Sequence, residues 1–274
     1  MADTLVIPAM ENIVIRECVT IDELDSCVRL QRDVFGLPDL EISPRRHLIV
    51  SRQAGGWTLG AFVDEHLVGF VHHLAAVRGS EIFGYSHMMA VHPGFQNQGV
   101  GARLKWAQRE RALREGRGFI RWTWDPMQAR NAHFNLNRLG VTANTYAENF
   151  YGTDYPASPP PAEIGGTGLD SDRLFANWQL KSERVNNLAN NSSREASIEL
   201  KPDGFIVIPA DWTKLCRESR AQAQSEQRRV RREFQQAFAA GLIAAGFERA
   251  AEKPRYLLYA ENGFKSEQQA ANLS

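Results

Sequence analysis

The stretch MMAVHPGFQNQGVGARL, from Met88 to Leu104, decides the fold of this chain. An apolar run leads into the turn Pro93-Gly94, and Gly99 and Gly101 then precede a segment with helical spacing. Glycines at such a junction let the backbone approach a ligand where a Cβ atom would collide with it. The N–H groups at the helix start, with the positive end of the helix dipole behind them, predict an anion site suited to a pyrophosphate.

Two other phosphate-binding motifs do not fit this stretch. The Rossmann fingerprint needs a third glycine, and Leu104 stands at that position. The P-loop ends in GK[ST], and no lysine followed by serine or threonine comes after these glycines. What remains is the pattern Q-x-x-G-x-G after a strand that ends in A-V-x-P.

Strand and helix patterns alternate on both sides of this stretch. Thr20 and Glu23 form a capping box that predicts a helix closed by Gly36, and the polar DEH segment predicts a hairpin within residues 56–79. Later apolar stripes predict one long helix from Asp211 to Gly246. The further predicted strands are residues 12–19, 84–95, 119–125, 174–180, 204–212 and 255–260, and the further helices are residues 99–113 and 129–140.

The composition is that of an ordinary globular protein. The chain has 274 residues, of which 43% are hydrophobic and 23% charged, and its formal net charge is zero. Balanced charge gives no overall field toward nucleic acid or an anionic membrane, so neither is expected as a partner. The three cysteines lack CxxC spacing, and no apolar run approaches 18 residues. We therefore expect a cytoplasmic protein with reduced thiols, and not a secreted, membrane-spanning, fibrous or disordered one.

The stretch from Met88 to Leu104 resembles motif A of the GNAT superfamily, the acyl-CoA-dependent N-acyltransferases. The predicted elements around it follow in the order of that family, over roughly residues 12–151. The segments YSHMM (85–89), WTWDP (122–126) and NFYG (149–152) also resemble a larger predicted GNAT type with a C-terminal extension.

This resemblance implies an acyl-CoA site on named residues. The pantetheine arm would pair with the backbone of Met89, Ala90 and Val91 like an added strand. Asn131 matches a position that often lies near the cofactor, although an asparagine at a helix start is also a common cap. No metal is implied. The pyrophosphate loop comprises Gln96, Asn97, Gln98, Gly99, Val100, Gly101 and Ala102.

Acyl transfer to an amine makes a base the first requirement of the chemistry. Deprotonating a lysine-like amine at pH 7 costs about 4 to 5 kcal/mol, whereas the leaving thiolate needs only about 2 kcal/mol of help. Period-two alternation predicts that Tyr85, His87 and Met89 share one strand face. His87 is the group there that titrates near neutral pH, and it serves as base or water relay, or else as a structural histidine.

The acid is where this chain departs from the family pattern. Many GNAT enzymes carry a tyrosine at the position that Leu136 occupies here. Tyr146 and Tyr151 are nearby replacements, although aromatic residues in strand-like segments are also common in cores. Asp125 stands between a strand and a proline, which favours a turn-capping role.

These observations predict an α/β GNAT fold with a mixed, twisted sheet flanked by helices and a C-terminal α/β extension packed on it. The expected activity is N-acyl transfer from acetyl-CoA to the primary amine of a small metabolite or amino acid, by direct attack in a ternary complex. Succinyl-CoA is an alternative donor, and a degenerate domain that binds acyl-CoA as a sensor is an alternative function. A homodimer stays open. The predicted parts are a core (1–152), a Pro/Gly-rich connection (153–173), an extension (174–262) and a polar tail (263–274).

Overall fold

The structure, a computed structural model, describes residues 13–153, 169–190, 195, 198 and 200–264. The described chain forms two compact units, one of residues 13–117 and one that begins at Gly118. The predicted connection lies largely in residues 154–168, outside the described part, so the predicted division of the chain stays a prediction. Strands and helices alternate in both units, which confirms the α/β class. No helix in the described ranges has the length and apolar character needed to cross a membrane.

In the first unit, four antiparallel strands of a sheet are hydrogen-bonded in the order β1-β2-β3-β4. Its strands are β1 (Val14–Glu17), β2 (Trp57–Val63), β3 (His66–Arg78) and β4 (Glu81–Val91). Its helices are α1 (Ile21–Phe35), α2 (Arg45–Gln53) and α3 (Val100–Arg114). Helices α1 and α2 pack on one face of this sheet and α3 on the other, so that β3 and β4 are covered on both sides.

Local sequence explains most of these boundaries. Thr20 accepts a hydrogen bond from the Glu23 amide, the Glu23 carboxylate accepts one from the Thr20 amide, and Gly36 closes α1 with φ 59°. The predicted capping box is therefore confirmed. Asp64 and Glu65, both with positive φ, form the predicted turn between β2 and β3.

Helix α2 is an element that the sequence pattern did not indicate. It follows Pro44, and no side chain caps its first turn. Its buried residues are Leu48 and Ser51, whereas Val50 is exposed. This short helix acquires its stability from packing on the sheet, because nine residues without a cap are marginal in isolation.

In the second unit, three strands are hydrogen-bonded in the order β5-β7-β6, and a three-stranded sheet has the order β8-β10-β9. The strands are β5 (Phe119–Trp124), β6 (Tyr146–Ala147), β7 (Arg173–Gln179), β8 (Gly204–Val207), β9 (Leu242–Glu248) and β10 (Arg255–Ala260). The helices are α4 (Ala129–His133), which continues as a π-helical turn over Phe134–Arg138, α5 (Glu183–Asn190), α6 (Trp212–Glu218) and α7 (Arg220–Ala239).

The prediction of one helix from Asp211 to Gly246 is wrong. The chain breaks at Ser219, whose extended backbone and hydroxyl cap the start of α7, and it turns again at Gly241 with φ 78°. Leu242, the last residue of the predicted apolar stripe, begins strand β9 instead. The backbone of the apolar run beyond the glycine forms its hydrogen bonds with β10 instead of within a helix.

An ion cluster around Arg231 fastens α7 to the strand ends of the second unit. The Arg231 guanidinium lies 2.9 Å from Asp172 and 2.7 Å from Asp170, and it also contacts Glu148. The hydroxyl of Tyr146 donates to Asp172 over 2.6 Å. Asp172 is buried, so its negative charge depends on these partners.

Arg231→Ala is expected to reduce the free energy of unfolding by about 3–5 kcal/mol, because it leaves the buried Asp172 carboxylate without its cation. Denaturant unfolding measures the loss. Arg228→Ala, on the exposed face of the same helix, is the matched control and should change stability by less than about 0.5 kcal/mol. Equal stability of the two variants would contradict the role assigned to the cluster.

Candidate functional site

The loop between β4 and α3 is held by its own glutamine side chains. The Gln96 amide nitrogen donates to the carbonyl of Val91 over 2.9 Å, and that of Gln98 donates to the carbonyl of Gly94 over 2.8 Å. The side chains of Gln96, the glutamine of the Q-x-x-G pattern, and of Gln98 within it thus fold back onto the turn. They fix the path of the backbone that leads into the helix.

The N-terminus of α3 is an anion-binding arrangement. Gly99 stands at the N-cap with φ 81°, where it has no side chain to cap the helix, and the first turn contains no acidic residue. Asn97 also has positive φ, and both residues are exposed. The first amides of this 15-residue helix therefore form the positive end of its dipole and have no capping side chain. They belong to Val100, Gly101 and Ala102.

The backbone of β4 directs two of the three predicted pantetheine-pairing residues away from β3. The His92 amide donates to the carbonyl of Val68 on β3. Alternate residues of an antiparallel strand form hydrogen bonds to the same side, so the polar groups of Ala90 are also directed to β3. Those of Met89 and Val91 are directed to the other edge. The backbone of Ala90 is thus engaged with β3, whereas only that of Met89 and Val91 has the direction that pairing with pantetheine requires.

A β-bulge at His87 changes the predicted strand face. His73 pairs with Ser86 and His72 with Met88, which leaves His87 as one extra residue on β4. The His87 ring lies near His47 of α2, 5.6 Å between centroids, whereas Met89 packs in the cluster on the α3 side. The prediction that Tyr85, His87 and Met89 share a face is therefore wrong for Met89, because the bulge interrupts the alternation.

Three histidine rings meet on the α2 side of the sheet. His47, His72 and His87 have centroid separations of 5.4, 5.6 and 6.1 Å. His87 is exposed, and its Nε2 lies 3.5 Å from the Ser43 hydroxyl. Desolvation, together with the charge of His47, lowers the pKa of His87 below its ordinary value of 6.5. His87 is therefore neutral at pH 7 and can accept a proton.

His72 is the buried member of this group, and both of its ring nitrogens are occupied. Nδ1 lies 2.8 Å from the Thr58 hydroxyl and Nε2 lies 3.1 Å from the Ser51 hydroxyl. Ser51 donates its own proton to the carbonyl of Leu48, so the Nε2–H of His72 donates to Ser51 and Thr58 donates to Nδ1. Burial lowers the pKa of His72 to about 3. This histidine is a neutral structural residue.

A second polar group lies on the α3 side of β4, directly beside the bulge. The ammonium nitrogen of buried Lys105 donates to the Ser86 hydroxyl over 3.1 Å and to the Gln108 carbonyl oxygen over 2.7 Å. The Gln108 amide in turn lies 3.3 Å from Nδ1 of His73, whose ring stacks on Trp57. Burial lowers the pKa of Lys105 well below its ordinary value. The sequence signal was available, since Lys105 follows Leu104 on the apolar side of a predicted helix.

The predicted tyrosines differ in what surrounds them. Tyr85 lies on β4 opposite Leu74 and is half-buried. Burial and the Asp172 carboxylate raise the pKa of Tyr146, whose proton is engaged in the hydrogen bond to Asp172; this favours a structural role. Tyr151 is exposed, with its hydroxyl 3.3 Å from that of Thr123.

The remaining predicted positions lie in the second unit. Asn131 is exposed on α4, whose N-cap is Gln128, so its alternative role as a helix cap is excluded. Leu136 is fully buried. Asp125 accepts a hydrogen bond from the Met127 amide over 2.9 Å, which confirms its turn-capping role. Among the described residues, no group of three or more His, Cys, Asp or Glu has a geometry that could hold a metal ion.

Comparison with known proteins gives a family match over the part of the chain that contains the loop and β4. Residues 24–140 match the model of the acetyltransferase (GNAT) family. No curated protein matches the chain significantly.

Solved structures match over a larger part of the chain. A candidate acetyltransferase from Acinetobacter baylyi has a TM-score of 0.50 at 14% identity, covering 61% of this chain and 92% of its own. The ribosomal-protein-S18-alanine N-acetyltransferase from Escherichia coli has 0.48 at 12%, covering 61% and 94%. A GNAT family acetyltransferase from Elizabethkingia anophelis with acetyl-CoA bound has 0.44 at 15%, covering 62% and 99%. At 14% identity the likeness to the Acinetobacter baylyi protein shows the fold alone, and this chain is longer than each of the three matched proteins.

The neutral histidines of the sheet predict a loss of stability in acid. His72 and His73 both have pKa values of about 3, so the unfolded chain binds protons below pH 6.5 that the folded chain does not. Their contribution is fully present above pH 6.5 and is lost toward pH 3, at up to about 1.4 kcal/mol per pH unit for each histidine.

Denaturant unfolding between pH 7 and pH 5 measures this slope. His73→Phe preserves a ring stacked on Trp57. It should make the decline of the free energy of unfolding with falling pH shallower by the contribution of one histidine. His66→Gln, an exposed position on the β2–β3 turn, should leave the slope as it is. An unchanged slope in His73→Phe would contradict a neutral buried His73.

Proposed function

From the GNAT acetyltransferase domain that residues 24–140 form, we propose that this acyltransferase moves an acetyl group from acetyl-CoA to the primary amine of a small metabolite or amino acid. The observation that carries the proposal is the uncapped N-terminus of α3, which follows β4 through a loop fixed by Gln96 and Gln98. Amides with a helix dipole behind them stabilise the pyrophosphate of coenzyme A. On the side of β4 that faces away from β3, the polar groups of Met89 and Val91 would pair with the pantetheine amides.

His87 is the base in this proposal. An amine acceptor arrives as an ammonium ion, and its nitrogen attacks the thioester only after the proton has been removed. The bulge turns His87 out of the strand to an exposed position, and its lowered pKa keeps it neutral at pH 7. Its ring nitrogen accepts the proton directly or through one water molecule.

The buried thiols of the first unit are consistent with direct attack by the amine on the thioester, without a cysteine-bound acyl intermediate. Cys18 and Cys27 are both buried, and their sulfur atoms lie 3.8 Å apart in the core under α1. Neither presents a thiolate at the surface for a covalent acyl intermediate. Of the tyrosines, Tyr85 and Tyr151 remain candidates for protonating the leaving thiolate. Protonating the leaving thiolate needs less help than deprotonating the amine. Acyl transfer is therefore consistent with a buried leucine at position 136, where many GNAT enzymes carry a tyrosine.

The test of this function is release of coenzyme A by the purified chain from acetyl-CoA, with a panel of amines and with succinyl-CoA as a second donor. Amine-dependent thiol release supports the proposal, and the preferred donor separates acetyl from succinyl transfer. Tight binding of acyl-CoA without thiol release from any amine would favour the alternative, an acyl-CoA sensor, which the buried Leu136 favours. A cytoplasmic location and a homodimer stay predictions.

Gly99→Glu is expected to raise the dissociation constant of acetyl-CoA at least tenfold, because it places a carboxylate at the amides that would bind pyrophosphate. Gly116→Glu is a matched control at the other end of α3. Both glycines have positive φ, 81° and 78°, and no atom lies within 4 Å of an added Cβ, so the backbone strain is similar. Calorimetry compares the two. Equal weakening in both variants, or none in Gly99→Glu, would contradict a pyrophosphate site here.

His87→Gln is expected to lower kcat by roughly 10²–10⁴-fold while the affinity for acetyl-CoA stays within a few-fold. In the wild-type protein the acidic limb of the pH–rate profile should lie below pH 6.5, since the pKa of His87 is lowered. That limb should disappear in the variant. Activity that survives within a few-fold with the same limb would show that His87 is a structural histidine.

A further inference from the structure

His47 is the member of the histidine cluster that has a ring nitrogen shielded from solvent and without a hydrogen bond. It lies on α2, a helix that the sequence did not predict, and its ring is half-buried. Its Nε2 atom is enclosed and has no hydrogen-bond partner in the structure. A buried imidazole nitrogen without a partner loses its hydration and gains nothing in exchange, so it calls for an explanation.

Two neighbouring rings define what His47 can do. Its centroid lies 5.6 Å from that of His87 and 5.4 Å from that of His72. His72 cannot take a proton from its neighbours, because Thr58 and Ser51 occupy both of its nitrogens. The enclosed nitrogen of His47 is therefore the acceptor available to a proton that leaves His87 toward the protein.

We propose that His47 is the second station of a proton path, which takes the proton from His87 and passes it to solvent at the surface of α2. This inference rests on the proposed function, since His87 must first receive the proton of the acceptor amine. His47 does not touch the reacting atoms and acts through His87.

Each step of the path moves one proton and leaves the rings unchanged at the end of a cycle. The amine gives its proton to one nitrogen of neutral His87, which becomes an imidazolium. His87 then gives the proton of its other nitrogen to Nε2 of His47, after a rotation of the side chains brings the two nitrogens into contact across rings whose centroids lie 5.6 Å apart. His47 releases the proton on its Nδ1 to water, and tautomer exchange restores both rings. No oxidant or further reactant is needed.

An internal exit allows proton release while the acceptor amine of the proposed reaction occupies the exposed side of the His87 ring. The groups near the pair are His72 from β3 and the Ser43 hydroxyl before α2, and Arg45, two residues before His47, is paired with Asp25 of α1. Gln31 of α1 fixes Ser43 by hydrogen bonds to its amide and carbonyl, at 3.0 and 3.2 Å. Because two adjacent imidazolium rings repel, a charge on His47 lowers the pKa of His87.

The test is the pH–rate profile of His47→Gln, with His66→Gln as the control at an exposed turn. We expect His47→Gln to lower kcat about tenfold with the KM for acetyl-CoA unchanged, and added imidazole to restore part of the loss. The acidic limb should also move to higher pH, because the charge of His47 no longer lowers the pKa of His87. Unchanged kcat and limb, or a loss without a limb shift or imidazole rescue, would overturn the proposal.

A second measurement separates this inference from the proposed function. Proton NMR titration of His87 in the wild-type protein and in His47→Gln reports their coupling without any turnover. If the wild-type protein releases no coenzyme A with any amine, the proposed function fails, and an upward shift of the His87 titration in the variant still supports a coupled pair. An unshifted His87 titration would overturn the proton path whatever the activity.

Discussion

The single extra residue in β4, the bulge at His87, is the constraint on which the first unit depends. Because side chains alternate along a strand, a register change of one residue exchanges every later side chain between the two faces. With the bulge, Met88 packs under α1 and α2, and Met89 and Val91 pack against α3. Without it, these residues would change sides, and the polar groups of Met89 would turn to β3. The core and the candidate cofactor edge therefore depend on the same residue.

Polar networks on both faces of the sheet hold this register beside the bulge. On the α3 side, Lys105 and Gln108 connect Ser86 to His73, its partner across the strands. On the other side, Thr58 and Ser51 clamp His72. Buried hydrogen bonds are stronger than exposed ones, and a missing partner leaves a desolvated polar group. A slip in register would break both networks at once, which makes the bulged arrangement specific.

The sequence predicts elements that have a local chemical signature. The capping box of Thr20 and Glu23, the turn at Asp64 and the strand-turn-glycine-helix stretch each rest on residues a few positions apart. The bulge has no such signature, because His87 is an ordinary strand residue until its partner in β3 is known. An alternation argument applied across it therefore misplaced Met89.

Elements that depend on tertiary packing were missed or misread for the same reason. Helix α2 begins without a side-chain cap, so His47 could not be placed near His87 from sequence. The apolar stripe that ends at Leu242 continues across Gly241 with helical spacing, and only pairing with β10 reveals a strand. A short apolar run fits either structure, and long-range hydrogen bonds decide between them.

His72 and His73, two basic residues beside the bulge, are kept neutral, and this bears on what the proposed site accepts. Burial lowers the pKa of both rings to about 3, so they carry no positive charge at neutral pH, and burial also lowers the pKa of Lys105. In the proposed reaction an ammonium substrate is then not repelled by these two rings as it approaches His87. A lowered pKa makes His87 a weaker base, but it also makes the proton easier to release. Since each cycle needs both uptake and release, this electrostatic setting favours turnover over a high affinity for the proton.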